Sequence, residues 1–302
     1  MNRFQSISFP STNGIHTLQG ILCMPQGHPL GIIHIVHGVA EHIARYKPMM
    51  QELADAGYIA VGFDLPGHGQ TVHTADELGY FGKKDGAGLL IRDTATAAEF
   101  LRRQYNNLPY YLFGHSMGSF IARCVTETFT PDKLILMGTA GPNPVSIPGL
   151  LVLRLIRLLR GDRYRSNTAH TIMFGGYNTR FPKDDPYHWL STDPETRKNY
   201  ADDPLCGFVL TAAGAYDLIC LCSRANRGAW FRSIQERFPV LLLSGAEDPV
   251  GNFGAGVRTV AKRLRKYGTD VVLHLYENGR HEIHNDIFRV QVMQDLLDFL
   301  TK

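Results

Sequence analysis

The sequence predicts an α/β fold with a mostly parallel, doubly wound sheet, and three observations support this. Short apolar runs rich in Ile, Leu and Val recur without alternating polar residues, as in strands buried on both faces. Stretches with a helical pattern lie between these runs, which is the alternation of a parallel sheet covered on both sides. A Gly-x-Ser-x-Gly motif at residues 114–118 stands between one apolar run and one helical stretch.

The predicted elements follow one another in a regular order. An antiparallel hairpin opens the chain at residues 2–9 and 17–24. The buried strands are predicted at residues 31–36, 59–63, 110–113, 133–137, 240–243 and 271–276. Helices are predicted at residues 46–56, 86–105, 116–128, 257–267 and 285–300. In such sheets ligands bind at the carboxyl ends of the strands, so functional residues are expected directly after the apolar runs.

The alternation lapses between the fourth and fifth of these buried strands, where seven prolines interrupt a mixed helical and polar stretch. A structureless loop of roughly 90 residues is improbable in a compact domain, so we predict an inserted, largely helical cap. The predicted division is a core of residues 1–140 and 233–302 and a cap, or lid, of residues 141–232.

The composition is that of an ordinary globular protein. Of 302 residues, 44% are apolar and 20% are charged, which disfavours disordered and fibrous classes. The net charge of +3 and the scattered basic residues predict no nucleic-acid partner. Five cysteines, an odd number, favour free thiols, and their spacing predicts no metal site. The opening residues lack the apolar core of a secretory signal and no apolar run reaches about 18 residues, so we expect a cytoplasmic protein.

Ser116 is the candidate nucleophile. Glycines at positions 114 and 118 leave room for a tight strand-to-helix turn that exposes the serine hydroxyl at the strand end. A serine hydroxyl needs a base to take its proton and a carboxylate to orient that base. The sequence around Ser116 therefore predicts a catalytic triad whose other members follow later strands.

Asp248 is the candidate acid and His281 the candidate base. Asp248 follows the apolar run 240–243, and Pro249 behind it restricts the loop. Glu247 is the rival acid, and both carboxylates would also suit a helix cap. His281 follows the last predicted strand, as expected for the base. The rival bases are His274, within that strand, and His284, which is predicted to open the final helix.

An oxyanion hole needs two backbone N–H groups. Met117, directly after the nucleophile, supplies one, and the segment 37–42 after the first buried strand supplies the other through Val39. An ordinary tight turn is the alternative interpretation of that segment.

Three segments together resemble the monoacylglycerol lipase and lysophospholipase branch of the α/β-hydrolases. They are His37-Gly38-Val39-Ala40-Glu41-His42, Asp64-Leu65-Pro66-Gly67-His68-Gly69-Gln70 and Gly114-His115-Ser116-Met117-Gly118. The segments around Asp248 and His281 are similar to the same branch. The resemblance implies an acyl-enzyme mechanism without a cofactor. Ala40 departs from the pattern, since relatives often carry glycine there.

The cap sequence bears on the substrate. Residues 148–160 predict an apolar helix with a narrow stripe of Arg154, Arg157 and Arg160. Such a helix suits a lipid-facing lid or peripheral contact with a membrane, and packing on the core is the alternative. We therefore expect a lipid-like ester such as a monoacylglycerol or a lysophospholipid.

Three other functions stay open at this point. The first is a general short-chain carboxylesterase and the second a non-catalytic ligand receptor on the same scaffold. The third is a serine peptidase-like hydrolase, which would need a cap carboxylate to bind a substrate amine. The available cap carboxylates are Asp184, Asp185, Asp202 and Asp203.

Overall fold

The computed structural model describes residues 3–143 and 146–302, and its strands form one mixed sheet. They are β1 (Phe4–Pro10), β2 (Thr17–Cys23), β3 (Gly31–Val36), β4 (Tyr58–Phe63), β5 (Tyr110–His115), β6 (Lys133–Met137), β7 (Pro239–Gly245) and β8 (Asp270–Tyr276). Their order is β1-β2-β4-β3-β5-β6-β7-β8. β2 runs antiparallel to both of its neighbours, and the other pairs are parallel.

Helices cover both faces of this sheet. They are α1 (Lys47–Asp55), α2 (Gly86–Gln104), α3 (Met117–Val125), α4 (Ser146–Arg160), α5 (Asn167–Phe174), α6 (Pro194–Asp202), α7 (Ala212–Ala225), α8 (Gly228–Ser233), α9 (Ala255–Lys266) and α10 (Arg289–Thr301). One face packs against α1 and α10, and the other against α2, α3, α7, α8 and α9. Successive strand residues point to opposite faces, so Ile32 and Ile33 of β3 belong to different layers. Because both faces are apolar, the central strands show no polar alternation.

The predicted strands are all present, with ends shifted by up to two residues, although residue 2 lies outside the described part of the chain. Two helix ends differ more. α3 ends at Val125, because the amides of Glu127 and Thr128 bond only three residues back. α10 begins at Arg289 instead of residue 285, because Ile283–Asn285 forms a separate 3₁₀ turn.

Parallel pairing brings the carboxyl ends of the strands together. Gly114 of β5 pairs with Val36 of β3 on one side and with Leu136 of β6 on the other. Leu243 of β7 pairs with Met137 of β6 in the same way. The loops after β3, β5, β7 and β8 therefore open on one edge of the sheet, and every predicted site residue lies in or directly beside one of them.

Helices α4 to α8 lie between β6 and β7, in the stretch predicted as a cap. We use the name cap for residues 141–232, whose boundaries remain a prediction. α4 packs on α7, and α7 packs on α3 of the core. Trp230 and Phe231 of α8 are completely buried and lie against the guanidinium of Arg123 in α3. The predicted boundary after residue 232 thus falls inside α8, where cap and core are continuous.

No helix in the described chain is long and apolar enough to cross a membrane.

Candidate active site

Ser116 stands in a sharp turn between β5 and α3. Its backbone adopts φ 53° and ψ −119°, a conformation that residues with side chains rarely take. A Cβ at position 114 would lie 2.3 Å from the carbonyl oxygen of Gly118, and a Cβ at position 118 would lie 2.0 Å from that of Val36. The Ser116 amide donates to the carbonyl of Met137 at 2.9 Å, which anchors the turn to β6. The two glycines are therefore sterically required for this turn.

His281 and Asp248 form a buried pair. His281 Nδ1 lies 3.0 Å from Asp248 Oδ2, and Asp248 is 0% exposed. The other carboxylate oxygen accepts from the Val250 amide at 2.8 Å, which fixes the orientation of the carboxylate. Burial alone would lower the pKa of His281, but the charge and hydrogen bond of Asp248, helped by Glu282 and Glu41, outweigh it and raise the pKa. The arrangement stabilises a positive charge on the His281 ring.

The rival residues lie elsewhere. His284 is buried and stacks on Tyr46 with ring centroids 4.9 Å apart, and burial holds its pKa well below the ordinary value. His274 lies in β8, and its Nδ1 is 3.6 Å from Asp295 Oδ2. Glu247 is half-buried, and no hydrogen bond joins its side chain to a histidine of the described chain.

A cavity of about 1170 Å³ lies between the strand ends and the cap. The predicted site residues that line it are Ser116, His281, Val39 and Met117. Asp248 lies behind His281, and Trp189 of the cap packs on the His281 ring with centroids 5.3 Å apart. Across residues 3–143 and 146–302 the Ser116 hydroxyl has no hydrogen-bond partner, so its bond to His281 is not formed in this conformation. Such bonds are often long in ligand-free enzymes.

The loop after β3, residues 37–42, is called the oxyanion loop below. Met117 is the first residue of α3, so its N–H has no partner within the helix. Val39 lies in a turn with Ala40, whose φ of 55° belongs to the left-handed region that favours glycine. The Gly38 amide donates to Glu41 Oε1 at 2.6 Å and thereby holds the turn closed. The departure at Ala40 therefore preserves the loop conformation at the cost of backbone strain.

A buried polar network at the cavity wall was not predicted from the sequence. Its members are Glu41, Arg45, Tyr46, His115 and Glu282. Glu41 Oε1 accepts from the Tyr46 hydroxyl at 2.9 Å and lies 3.1 Å from His115 Nδ1. Arg45 bridges Glu41 Oε2, at 2.8 Å, and the carboxylate of Glu282. Burial alone would raise the pKa of Glu41, but the bond from His115 and the charge of Arg45 hold it well below the ordinary value.

This network contacts the backbone that positions the candidate site residues. His115 lies beside Ser116 in the chain, and its Nε2 is 3.3 Å from the carbonyl oxygen of His281. Arg45 and Tyr46 follow Glu41 closely in the chain, whereas His115 is 74 residues away. No local spacing could have identified that distant partner.

The cap bonds to two of the loops at the strand ends. The Glu282 amide donates to the carbonyl of Leu190 at 2.8 Å. The carbonyl of Ala40 accepts from the Gly207 amide at 2.9 Å and from the Tyr200 hydroxyl at 3.0 Å. The cap therefore contacts both the oxyanion loop and the loop after β8 that carries His281, which is called the histidine loop below.

Two clusters of metal-ligand side chains lie outside the cavity in the described part of the chain. They are His16, His73 and Glu77, and His42, Asp203 and Cys206.

Comparison with known proteins gives a consistent family assignment. A family model described as serine aminopeptidase, S33 (Hydrolase_4) matches residues 27–287. A monoacylglycerol lipase of Mycolicibacterium smegmatis is 26% identical over 309 residues, covering 97% of this chain and 95% of that protein. A monoglyceride lipase of Mus musculus is 25% identical over 270 residues, covering 87% of this chain and 79% of that protein.

A solved structure agrees over the whole chain. A thermostable carboxyl esterase from Bacillus coagulans, in complex with glycerol, superposes with a TM-score of 0.92 at 31% identity, covering 100% of this chain and 99% of that chain. The relatives confirm the resemblance drawn from the motifs, and the structural match confirms the predicted fold class.

Proposed function

Because the chain belongs to the Hydrolase_4 family of α/β-hydrolases, we propose that it is a serine hydrolase cleaving carboxylic esters of lipid-like substrates, monoacylglycerols or lysophospholipids. One observation carries this proposal. Ser116, on its strained turn, lines the same cavity as His281, which is paired with Asp248 at 3.0 Å. A nucleophile, a base and an orienting acid are what acyl transfer through serine requires.

The proposed reaction has two halves. Ser116 Oγ attacks the ester carbonyl carbon while His281 Nε2 takes the hydroxyl proton, and Asp248 stabilises the resulting imidazolium. The Val39 and Met117 amides bind the oxyanion. The intermediate collapses to an acyl-enzyme as the alcohol leaves with the proton from His281. Water, deprotonated by His281, then attacks the acyl carbon and releases the fatty acid and Ser116.

The cavity lining favours a long acyl group. Its apolar side chains include Phe120, Met173, Phe174, Val209, Leu218 and Ile219. Each methylene buried there contributes about 0.8 kcal/mol, and a cavity of about 1170 Å³ has room for many. We expect longer monoacyl esters to be better substrates than acetate esters, with the gain in kcat/KM.

The cap carboxylates do not support an aminopeptidase. Asp184 pairs with His188, Asp185 with Arg197, Asp202 with Lys198 and Asp203 with His42. None of the four lines the cavity. The two glutamates that do line it, Glu41 and Glu282, are both bound to Arg45. A substrate amine would therefore find no uncommitted carboxylate among these six.

A second candidate is a general carboxylesterase for small esters. It shares every step above and differs only in its use of the apolar lining. An acyl-length series separates the two, because a small-ester enzyme gains nothing from longer chains.

The apolar face of α4 supports peripheral contact with a membrane. Leu153 is completely buried against the core, while the other edge exposes apolar side chains at helical spacing. These are Ile147, Leu151, Leu155, Leu158 and Leu159, with Leu158 81% exposed. The exposed Arg154 flanks this face and suits anionic headgroups. Leu151→Ser with Leu158→Ser should lower vesicle flotation and spare hydrolysis of soluble esters. Undiminished flotation would contradict this role.

A fluorophosphonate probe tests the nucleophile. It should label the folded chain at Ser116, as mapped by peptide mass spectrometry, and fail on Ser116→Ala. Ser119→Ala is the matched control because Ser119 lies three residues away with its hydroxyl bonded to Thr139 at 2.8 Å. Labelling that survives Ser116→Ala would refute the proposal. Monoacylglycerols, lysophospholipids and aminoacyl amides assayed side by side then identify the substrate class.

A further inference from the structure

The junction between the oxyanion loop and the cap holds three metal-ligand side chains. His42 of the oxyanion loop and Asp203 and Cys206 of the cap each place one ligand atom within 4.8 Å of the others. His42 and Cys206 are buried, and Asp203 is half-buried. We propose that these three side chains form a zinc site that ties the cap to the oxyanion loop.

The donor set fits zinc better than other divalent ions. Zinc binds imidazole nitrogen, thiolate sulfur and carboxylate oxygen in tetrahedral sites, and in catalytic zinc sites three protein ligands leave the fourth position to water. A thiolate disfavours magnesium and calcium, which select oxygen ligands. The Cys206 thiolate and the Asp203 carboxylate together balance the two charges of Zn²⁺.

The surrounding charges also favour a cation. The charged groups with the largest effect on Cys206 are one cation, Arg45, and three carboxylates, Asp203, Glu41 and Glu282. Arg45 is already bound to Glu41 and Glu282. A divalent cation would therefore enter a site with surplus negative charge.

Proton movements on binding can be assigned. Burial raises the pKa of the Cys206 thiol, so the metal-free thiol keeps its proton at neutral pH. On binding, that proton is released to solvent. His42 Nε2 lies 2.8 Å from Asp203 Oδ2 and carries the proton there. Within the described residues no group bonds to His42 Nδ1, so the imidazole proton can shift to Nδ1 and free Nε2 for the metal.

The backbone around these ligands is already fixed. Asp203 Oδ1 accepts from the Leu205 amide at 2.9 Å, which orients the carboxylate. The Cys206 amide donates to the carbonyl of Asp203, also at 2.9 Å. Supports of this kind hold metal ligands in place.

The other cluster serves as a control. Asn13 Oδ1 accepts from the amides of Ile15 and His16, so its Nδ2 donates to His16 Nδ1 at 3.0 Å. His16 Nε2 must then keep its proton for Glu77, and it is not free to bind metal. His73 in this cluster is exposed and can be changed without disturbing the junction.

None of the three proposed ligands lines the cavity, so metal binding can be tested apart from hydrolysis. The metal-stripped full chain is titrated with ZnCl₂ by calorimetry and with CoCl₂ by absorption spectroscopy. We expect one ion per chain and a near-ultraviolet thiolate-to-cobalt charge-transfer band. Cys206→Ser should abolish the band and weaken zinc binding at least about tenfold, whereas His73→Gln should change neither.

Two outcomes would overturn the zinc site: no thiolate band in the wild type, or zinc affinity that falls with His73→Gln and not with Cys206→Ser. If Cys206→Ser does not fold, the wild type still decides. Zinc added to the cobalt-loaded wild type should displace the cobalt and remove the thiolate-to-cobalt band. A band that survives excess zinc contradicts the site.

Discussion

Asp248→Asn tests the proposed acid most directly. Asp248 is 0% exposed and its Oδ2 lies 3.0 Å from His281 Nδ1. Asparagine keeps the shape, but its amide is uncharged and can present an N–H to Nδ1. The ring then carries its proton on Nε2 and cannot take the Ser116 proton. The loss in kcat should be about 10⁴-fold, which corresponds to about 5.4 kcal/mol of transition-state stabilisation.

The same variant should move the pH profile in a defined direction. Burial lowers the pKa of His281, and Asp248 is the largest of the charges that together raise it above 6.5. Hydrolysis needs neutral His281, so wild-type activity is lost as the pH falls through this raised pKa. Without the charge of Asp248, less opposes the lowering of the His281 pKa by burial. The pKa should therefore fall, and the acidic limb of the profile should move to lower pH.

The assay is kcat/KM for a p-nitrophenyl ester from about pH 5 to pH 9, with Glu247→Gln as the matched control. Glu247 is adjacent in sequence but half-buried, and it should leave both the rate and the acidic limb nearly unchanged. A kcat of Asp248→Asn within about tenfold of wild type, or a limb that moves to higher pH, would refute the assignment of the acid.

Three further changes test other parts of the site. Ser116→Gly should be more stable than Ser116→Ala by about 1 kcal/mol in the free energy of unfolding, because glycine takes φ 53° without strain. Equal urea midpoints for the two variants would contradict a strained turn. Gly118→Ala should destabilise by about 3 kcal/mol in thermal melts, since its Cβ would lie 2.0 Å from the Val36 carbonyl oxygen. Leu218→Ala should flatten the gain in kcat/KM per acyl methylene, about 0.8 kcal/mol, whereas the exposed Leu158→Ala should not. An unaltered slope for Leu218→Ala would place the acyl chain elsewhere.

The sheet was predictable because its signal is local. Strands buried on both faces need continuous apolar runs, and each of the strands β3 to β8 carries one. β1 and β2 carry the pattern of a hairpin instead. The positions of Ser116, Asp248 and His281 followed from the rule that functional residues come after such runs. Their proximity in space follows from the parallel register, whereas their catalytic roles remain a proposal.

Other parts depend on contacts between distant segments. Glu41, His115 and Glu282 meet only after folding, so no spacing in the sequence predicts their network. The same holds for His42, Asp203 and Cys206, which is why cysteine spacing predicted no metal site.

The cap helix was predicted only in part. We expected an apolar helix, and α4 is one. The cap helices that contribute apolar side chains to the cavity are instead α5 and α7, because α4 turns one edge to α7 and the other outward. Periodicity identifies an apolar face, but it does not say what covers that face.

The main-chain bonds from the cap to the oxyanion and histidine loops limit how this enzyme can be re-engineered. Leu190 and Gly207 hold Glu282 and Ala40 through backbone atoms, and Gly207 does so at φ 63°, in the left-handed region that favours glycine. A chimera that exchanged the whole cap for that of a relative would also replace the cap residues that bond to the oxyanion and histidine loops. Grafts confined to α4 and α5 leave those attachments intact, and they are the exchange by which substrate preference could be altered while turnover is retained.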